Sequence, residues 1–207
     1  MKNKITLIYI HDPMCSWCYG FKPVLEYLHK ELKGIIEIKY LLGGLAKDND
    51  QPMTEAMQNH IIENWKKIEK TIPGIKFNYD FWSKCIARRS TYPSCRAILA
   101  TIKQNINLEN DMLKLIQQAY YLEARNPSDY NVLYELSKKL NINHKQFISD
   151  IHSDEINNQL MSQIQQCRDI GADSFPSLYL NIDNKYQPIV LDYNNADIIL
   201  DHIKSFI

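Results

Sequence analysis

The feature that most restricts how this chain can fold is the tetrapeptide Cys15-Ser16-Trp17-Cys18, set just after the run Ile5-Thr6-Leu7-Ile8-Tyr9-Ile10. That run is short, β-branched and aromatic, the composition of a buried strand. His11-Asp12-Pro13-Met14 follows with turn formers, and Asp12 is placed to cap a helix. From Cys15, the apolar residues Tyr19, Val24, Leu25, Leu28 and Leu32 recur at helical spacing as far as Gly34. The spacing predicts one helix, bent by Pro23. A strand therefore ends, and a helix begins, at two cysteines one turn apart. Cys15 falls at the helix N-terminus, where unpaired N–H groups and the macrodipole favour a thiolate. Cys18 is placed to resolve a mixed disulfide.

Structural zinc is the competing use of such a pair, and it needs a second close pair of ligands. Cys85, Cys95 and Cys167 include none, and the six histidines form no HxH or HxxxH pair, so no metal is expected. A pair of inert buried thiols fits poorly with the exposed start of a helix. Redox chemistry is the reading that remains, with Cys15 as nucleophile and Cys18 as resolving thiol. Cys95 and Cys167 lie in apolar helical patterns and read as buried core. Cys85, in a connector, reads either as inert or as part of a second redox couple. His11 either tunes Cys15 or points to solvent from the strand end. Trp17 is expected to be exposed and to touch substrate, while Tyr19 and Phe21 read as core.

Ile35 to Leu42 is a second strand, closing on Gly43-Gly44-Leu45; strand, helix and strand at this spacing make a parallel βαβ unit. Residues 51–171 then carry only helical patterns. Among their signals, Ser128 is read as the cap of Tyr130 to Leu140, and Ser153-Asp154-Glu155 as the cap of a long helix ending at Gly171. Strand patterns return at Ser177 to Ile182 and Tyr186 to Leu191, joined by the turn pair Asp183-Asn184, with Pro188 marking an edge strand. Asn194 to Phe206 is an amphipathic closing helix. The expected organisation is a discontinuous α/β domain, 1–50 with 172–207, and an all-helical insertion domain, 51–171.

Acidic and basic side chains balance at 24 each with no basic block, which points away from nucleic acid and anionic membranes. No apolar run approaches the ~20 residues of a membrane span. Met1-Lys2-Asn3-Lys4 and the apolar run after it resemble only the first third of a signal peptide, so a cytoplasmic location is expected.

Phe175-Pro176-Ser177 precedes the returning strand. Together, Asp12-Pro13-Met14-Cys15-Ser16-Trp17-Cys18-Tyr19-Gly20-Phe21, the Leu42-Gly43-Gly44-Leu45 turn and this loop resemble the DsbA-like thioredoxin-fold family. The likeness extends to its cytosolic branch of predicted protein-disulfide isomerases, similar to FrnE. It covers essentially the whole chain and implies a thioredoxin fold interrupted by a helical insertion. It also implies thiol–disulfide oxidoreductase activity on protein or peptide dithiols and disulfides, with a redox partner for recycling. Pro176 would be a cis-proline facing the cysteines, and the Phe175 backbone would pair with extended substrate. Ser16 and Trp17 stand where periplasmic DsbA proteins have Pro-His, a change that favours a milder couple. A sister group on the same fold, kappa-class glutathione transferases and 2-hydroxychromene-2-carboxylate isomerases, centres on a serine near the position of Ser16. That group leaves glutathione open as a co-substrate, while no bound cofactor is expected. A non-catalytic binding module, using the Phe175 groove with idle cysteines, is the third class.

Overall fold

A computed structural model describes residues 5–207; the basic start, Met1-Lys2-Asn3-Lys4, lies outside the described residues. Strand β1 (Ile5–His11) is the second strand of a four-stranded sheet of order β2-β1-β3-β4, with β2 spanning Glu37–Leu42, β3 Ser177–Ile182 and β4 Lys185–Ile189. β1 pairs parallel with β2 (Ile8 opposite Lys39) and antiparallel with β3 (Ile8 opposite Tyr179). β4 is the edge strand, which is where Pro188 is tolerated. Asp183 and Asn184 both take positive φ, 49° and 66°, the backbone a two-residue hairpin needs.

Alternation along β1 builds two cores. Leu7 and Tyr9 face α2 (Lys22–Glu31) and α10 (Ala196–Lys204), packing on Val24, Leu25, Leu28, Ile199 and Ile203. Ile8 and Ile10 face the other way, onto Cys167 near the end of α9 (Asp154–Ile170) and on Ala172 just beyond it. The thioredoxin-like α/β fold expected from the chain order is therefore present.

The expected single helix after the cysteines is instead two: α1 (Ser16–Gly20) and α2, joined at Phe21. Pro23 has no N–H for the carbonyl of Tyr19, so the helix ends there and restarts, and Pro23 sits in the first turn of α2 where no donor is missed.

Between β2 and β3 the described residues are helical apart from connectors: α3 (Glu55–Thr71), α4 (Phe81–Lys84), α5 (Tyr92–Gln104), α6 (Glu109–Tyr121), α7 (Tyr130–Ser137), α8 (His144–Ile151) and α9. Thr54, Asn143 and Ser153 cap α3, α8 and α9 by accepting backbone N–H bonds, and Gly171 ends α9 at φ 88°. Ser128 does not cap α7. Its hydroxyl donates to the carbonyl of Ser90 at 2.7 Å, tying the loop to the start of α5, and Asp129 takes the capping position without a side-chain capping bond. A core from α5, α6, α7, α8 and α9 fills this region, and an aromatic cluster around Trp65 packs it onto Met14 and Tyr19 beside the cysteines. Among the described residues no helix is long and apolar enough to cross a membrane.

Candidate active site

Cys15 holds the N-cap position of α1 in extended backbone (φ −79°, ψ 117°); its N–H bonds to the carbonyl of Asp12 and its carbonyl accepts from Tyr19 N. Asp12, expected as the cap, works elsewhere. It is fully buried: Oδ1 accepts from Met14 N (2.8 Å), and Oδ2 from Leu45 N (2.7 Å), Thr91 Oγ1 (2.6 Å) and Cys95 Sγ (3.6 Å). One carboxyl thus knots the loop before Cys15 to the Gly43–Leu45 turn and to the start of α5. Burial pushes its pKa up, and the donors pull it back only in part.

All five cysteines are free. Cys15 is 7% exposed and Cys18 1%, so neither has the open helix-start setting expected from the sequence: the helical region roofs over the end of α1. Burial drives the Cys18 thiol well above its ordinary range, and the adjacent Cys15 thiol adds to this.

The Phe175–Pro176 peptide bond is cis, and Cys15 Sγ donates to the Phe175 carbonyl at 3.5 Å. The Phe175 ring lies over Gly43, where an added Cβ would meet ring atoms at 1.9 Å and 2.2 Å. Glycine is required at that position by close approach rather than by backbone angle.

The two sulfurs open onto different spaces. Cys15, Ser16, Trp17 and Phe175 line a cavity of about 220 Å³ with Trp65, Arg88 and Arg89 among its other walls. Cys18 lines a separate cavity of about 320 Å³ on the α2 and β2 side, with Tyr9, His29 and Tyr40. In the first cavity Arg88 is paired with Asp129, whereas Arg89 has no ion pair or hydrogen bond among the described residues. Trp65 is fully buried with its indole N–H unpartnered.

Trp17 is half-buried, edge-on to Tyr193 at 5.1 Å between ring centres, with Lys67 Nζ 5.8 Å above it. Tyr19 and Phe21 are buried, as core residues are. Pro176 is joined to Phe175 by that cis bond.

Tyr193 also meets Phe21 edge-on at 5.5 Å, and its hydroxyl is held protonated first by burial and then by the two cysteines. It went unnoticed in the sequence because it sits in the loop before α10, 175 positions away from Cys18 by chain but beside it in the fold.

His11 neither tunes Cys15 nor reaches solvent. It is fully buried, stacked on Tyr9 at 5.0 Å and edge-on to Tyr40, with both ring nitrogens unpartnered. Strand β1 extends one residue further than expected and carries His11 onto the Tyr9 face, where burial alone lowers its pKa from 6.5 to about 3. Cys85 is half-buried and donates to the Ala124 carbonyl at 3.0 Å; burial raises its pKa. Cys95 and Cys167 are buried, and burial takes Cys167 to about 12. Among the described residues no three His, Cys, Asp or Glu side chains cluster as metal ligands would.

A family model described as Thioredoxin matches residues 8–199. Among curated relatives, the ClpXP adapter protein SpxH of Halalkalibacterium halodurans is 23% identical over 177 residues, 84% of this chain and 57% of the relative. The chain thus spans rather more than half the length of that relative. A protein of Nitrosomonas europaea, classed provisionally as a protein disulfide isomerase, superimposes with a TM-score of 0.87 at 24% identity, covering 98% of this chain and 97% of the other. The cytosolic disulfide reductase DsbM of Pseudomonas aeruginosa, also solved with GSH, gives 0.78 at 24% identity, covering 97% and 98%. The chain belongs to the thioredoxin family and has its DsbA-like fold.

Proposed function

We propose that this protein is a thiol–disulfide oxidoreductase in which Cys15 attacks and Cys18 resolves. The observation that carries the reading is the division of labour between the two sulfurs. Cys15 lines a cavity beside a cis-proline loop, while Cys18, one turn further on, lines a separate cavity with residues of α2 and β2. A thiolate at Cys15 attacks a substrate disulfide, one substrate sulfur leaves, and Cys18 then displaces the other to close the Cys15–Cys18 disulfide. Run backwards, the closed pair oxidises a dithiol, and a separate redox partner resets the couple in either direction.

In this reading the backbone at Phe175 and Pro176 lies along an extended peptide substrate, with Ser16 and Trp17 bordering it. Glutathione is a second, small substrate or co-substrate, supported by the unpaired Arg89 in the Cys15 cavity and by the solved GSH complex of DsbM. We place the protein in the cytosol, the location printed for DsbM. We keep residues 51–171 as the insertion and 1–50 with 172–207 as the discontinuous domain.

The test is insulin-disulfide reduction with three variants. Cys15→Ser abolishes it and Cys85→Ser retains it. Cys18→Ser accumulates a stable mixed disulfide on Cys15, seen by mass. Full turnover in Cys15→Ser would sink the mechanism. Glutathione-dependent activity that survives in Cys18→Ser would support a transferase or 2-hydroxychromene-2-carboxylate isomerase instead.

A second reading comes from SpxH, an adapter by its name: the Phe175 groove binds a protein while the cysteines stand idle. It requires that Cys15→Ser keep full biological activity.

A further inference from the structure

Resolution poses a problem that the first cavity does not solve. Cys18 must lose a proton before it can attack, yet it is 1% exposed and does not line the space that Cys15 faces. The space it does line is the rear cavity, whose polar walls include Tyr9, His29 and Tyr40. These side chains are connected. Tyr9 and Cys18 are in side-chain contact, and the rings of Tyr9 and Tyr40 meet edge-on at 5.3 Å. The Tyr40 hydroxyl and His29 Nε2 are 2.7 Å apart. His29, on α2, lines the cavity and is half-buried, so it keeps some access to solvent. At about 320 Å³ with several polar groups, the cavity has room for waters to complete the gap between the two tyrosines.

We propose that Tyr9, Tyr40 and His29 form the proton exit for the resolving thiol, with His29 as terminal acceptor; this rests on the Cys15–Cys18 reading. When Cys18 attacks the mixed disulfide, its proton moves to the Tyr9 oxygen as Tyr9 passes its own onward. Tyr40 then delivers a proton to His29 Nε2. The Cys15–Cys18 bond forms, the bond from Cys15 to the substrate sulfur breaks, and the electron pair leaves on the substrate thiolate. The imidazolium returns its proton to solvent. Two electrons have passed from the protein thiols to the substrate disulfide, and no other reactant is consumed.

The surroundings suit an acceptor. Burial lowers the pKa of His29, with Lys114 on α6 acting in the same direction and Glu26 on α2 opposing, so the ring is neutral and ready at neutral pH. Lys22 on α2 is the other charged group lining the cavity. Tyr9 and Tyr40 are held protonated mainly by burial, so they relay protons without ionising.

The experiment is stopped-flow reaction of the reduced protein with dithiobis-nitrobenzoate, in a Cys85→Ser background. Attack by Cys15 releases one coloured thiolate, and resolution by Cys18 releases the second. That leaving group needs no proton, so the second phase reads deprotonation and attack at Cys18 alone. His29→Ala and Tyr40→Phe should each leave the first phase unchanged and slow the second by on the order of tenfold or more. The double variant should be no slower than the worse single one. Added imidazole should restore the second phase in His29→Ala, which a merely structural role would not allow.

An unaltered second phase in both variants overturns the proposal. So does equal slowing of both phases, or failure of imidazole to rescue. If the parent protein releases only one thiolate, or if Cys18→Ser still releases two, the underlying couple has failed rather than the relay.

Discussion

His11 gives the sharpest quantitative test of the structure. It is fully buried against Tyr9 and Tyr40, no group among the described residues accepts from or donates to either ring nitrogen, and burial takes its pKa from 6.5 to about 3. A base that is harder to protonate when folded stabilises the protein above pH 6.5. That contribution is lost as pH falls from 6.5 towards 3, because the unfolded chain binds the proton first. Between pH 7 and pH 5 the loss is about 2 kcal/mol, near the ~1.36 kcal/mol per pH step that linkage allows. Phenylalanine is a somewhat larger flat ring that does not titrate and gives up no hydrogen bond. Any packing cost of His11→Phe is the same at both pH values, and the variant should lack this part of the acid loss. The assay is urea unfolding followed by the fluorescence of Trp17, Trp65 and Trp82 at the two pH values. The stability of the parent protein should drop by about 2 kcal/mol more than that of the variant. Parallel pH dependence in the two proteins would refute the argument and mean that His11 gains a partner or solvent in the folded state.

Two further substitutions probe the Cys15 cavity. Gly43→Ala places a Cβ within 1.9 Å of the Phe175 ring, so the ring and the carbonyl beside Cys15 must shift. We expect a stability loss of about 1–3 kcal/mol by urea unfolding, with disulfide reduction falling by more than thermal unfolding alone explains; wild-type activity would show that the loop position is not critical. Arg89→Gln removes the unpaired cation from the same cavity. KM for glutathione disulfide should rise roughly fivefold, the equivalent of about 1 kcal/mol, while the uncharged hydroxyethyl disulfide is unaffected; equal changes for both substrates would remove Arg89 from carboxylate recognition.

What was legible in the sequence was what depends on local periodicity. The β-branched run of β1, the helical repeats of α3, α5 and α9, the capping Ser153 and the Asp183-Asn184 turn each carry their signal within a few residues. The βαβ and ββα order then fixes the sheet, because chirality and adjacency leave few alternatives. The missed features depend on long-range partners. Asp12 looks like a cap from its neighbours and becomes a knot only when Leu45 and Thr91 arrive, 33 and 79 positions away. Ser128 is a second case: the carbonyl of Ser90, 38 positions away, takes its hydroxyl. Tyr9 and Tyr40 fall in separate predicted strands, and only the parallel register of β1 with β2 sets Tyr9 directly opposite Tyr40. The burial of Cys15 was hidden too, since nothing near the cysteines announces that residues far along the chain will roof them.

That roof has a chemical consequence for any reaction at Cys15. Thiol–disulfide exchange proceeds by attack of a thiolate on a disulfide sulfur, and access to that sulfur limits it. With Cys15 only 7% exposed at the wall of a cavity of about 220 Å³, a disulfide must enter the space before its sulfur can meet Sγ. Small disulfides and extended, mobile peptide segments meet that demand; a disulfide held flat on a rigid globule does not. The rear cavity changes the second step in a complementary way. Cys18 lines a different cavity from the one Cys15 lines, so in the proposed cycle the bound substrate and the departing proton use separate spaces. A site with both sulfurs facing one cleft would have to move substrate and proton through the same opening. Here Cys15, at the N-cap of α1, and Cys18, within that helix, line two different spaces. In the proposed cycle, that separation keeps attack and proton release apart.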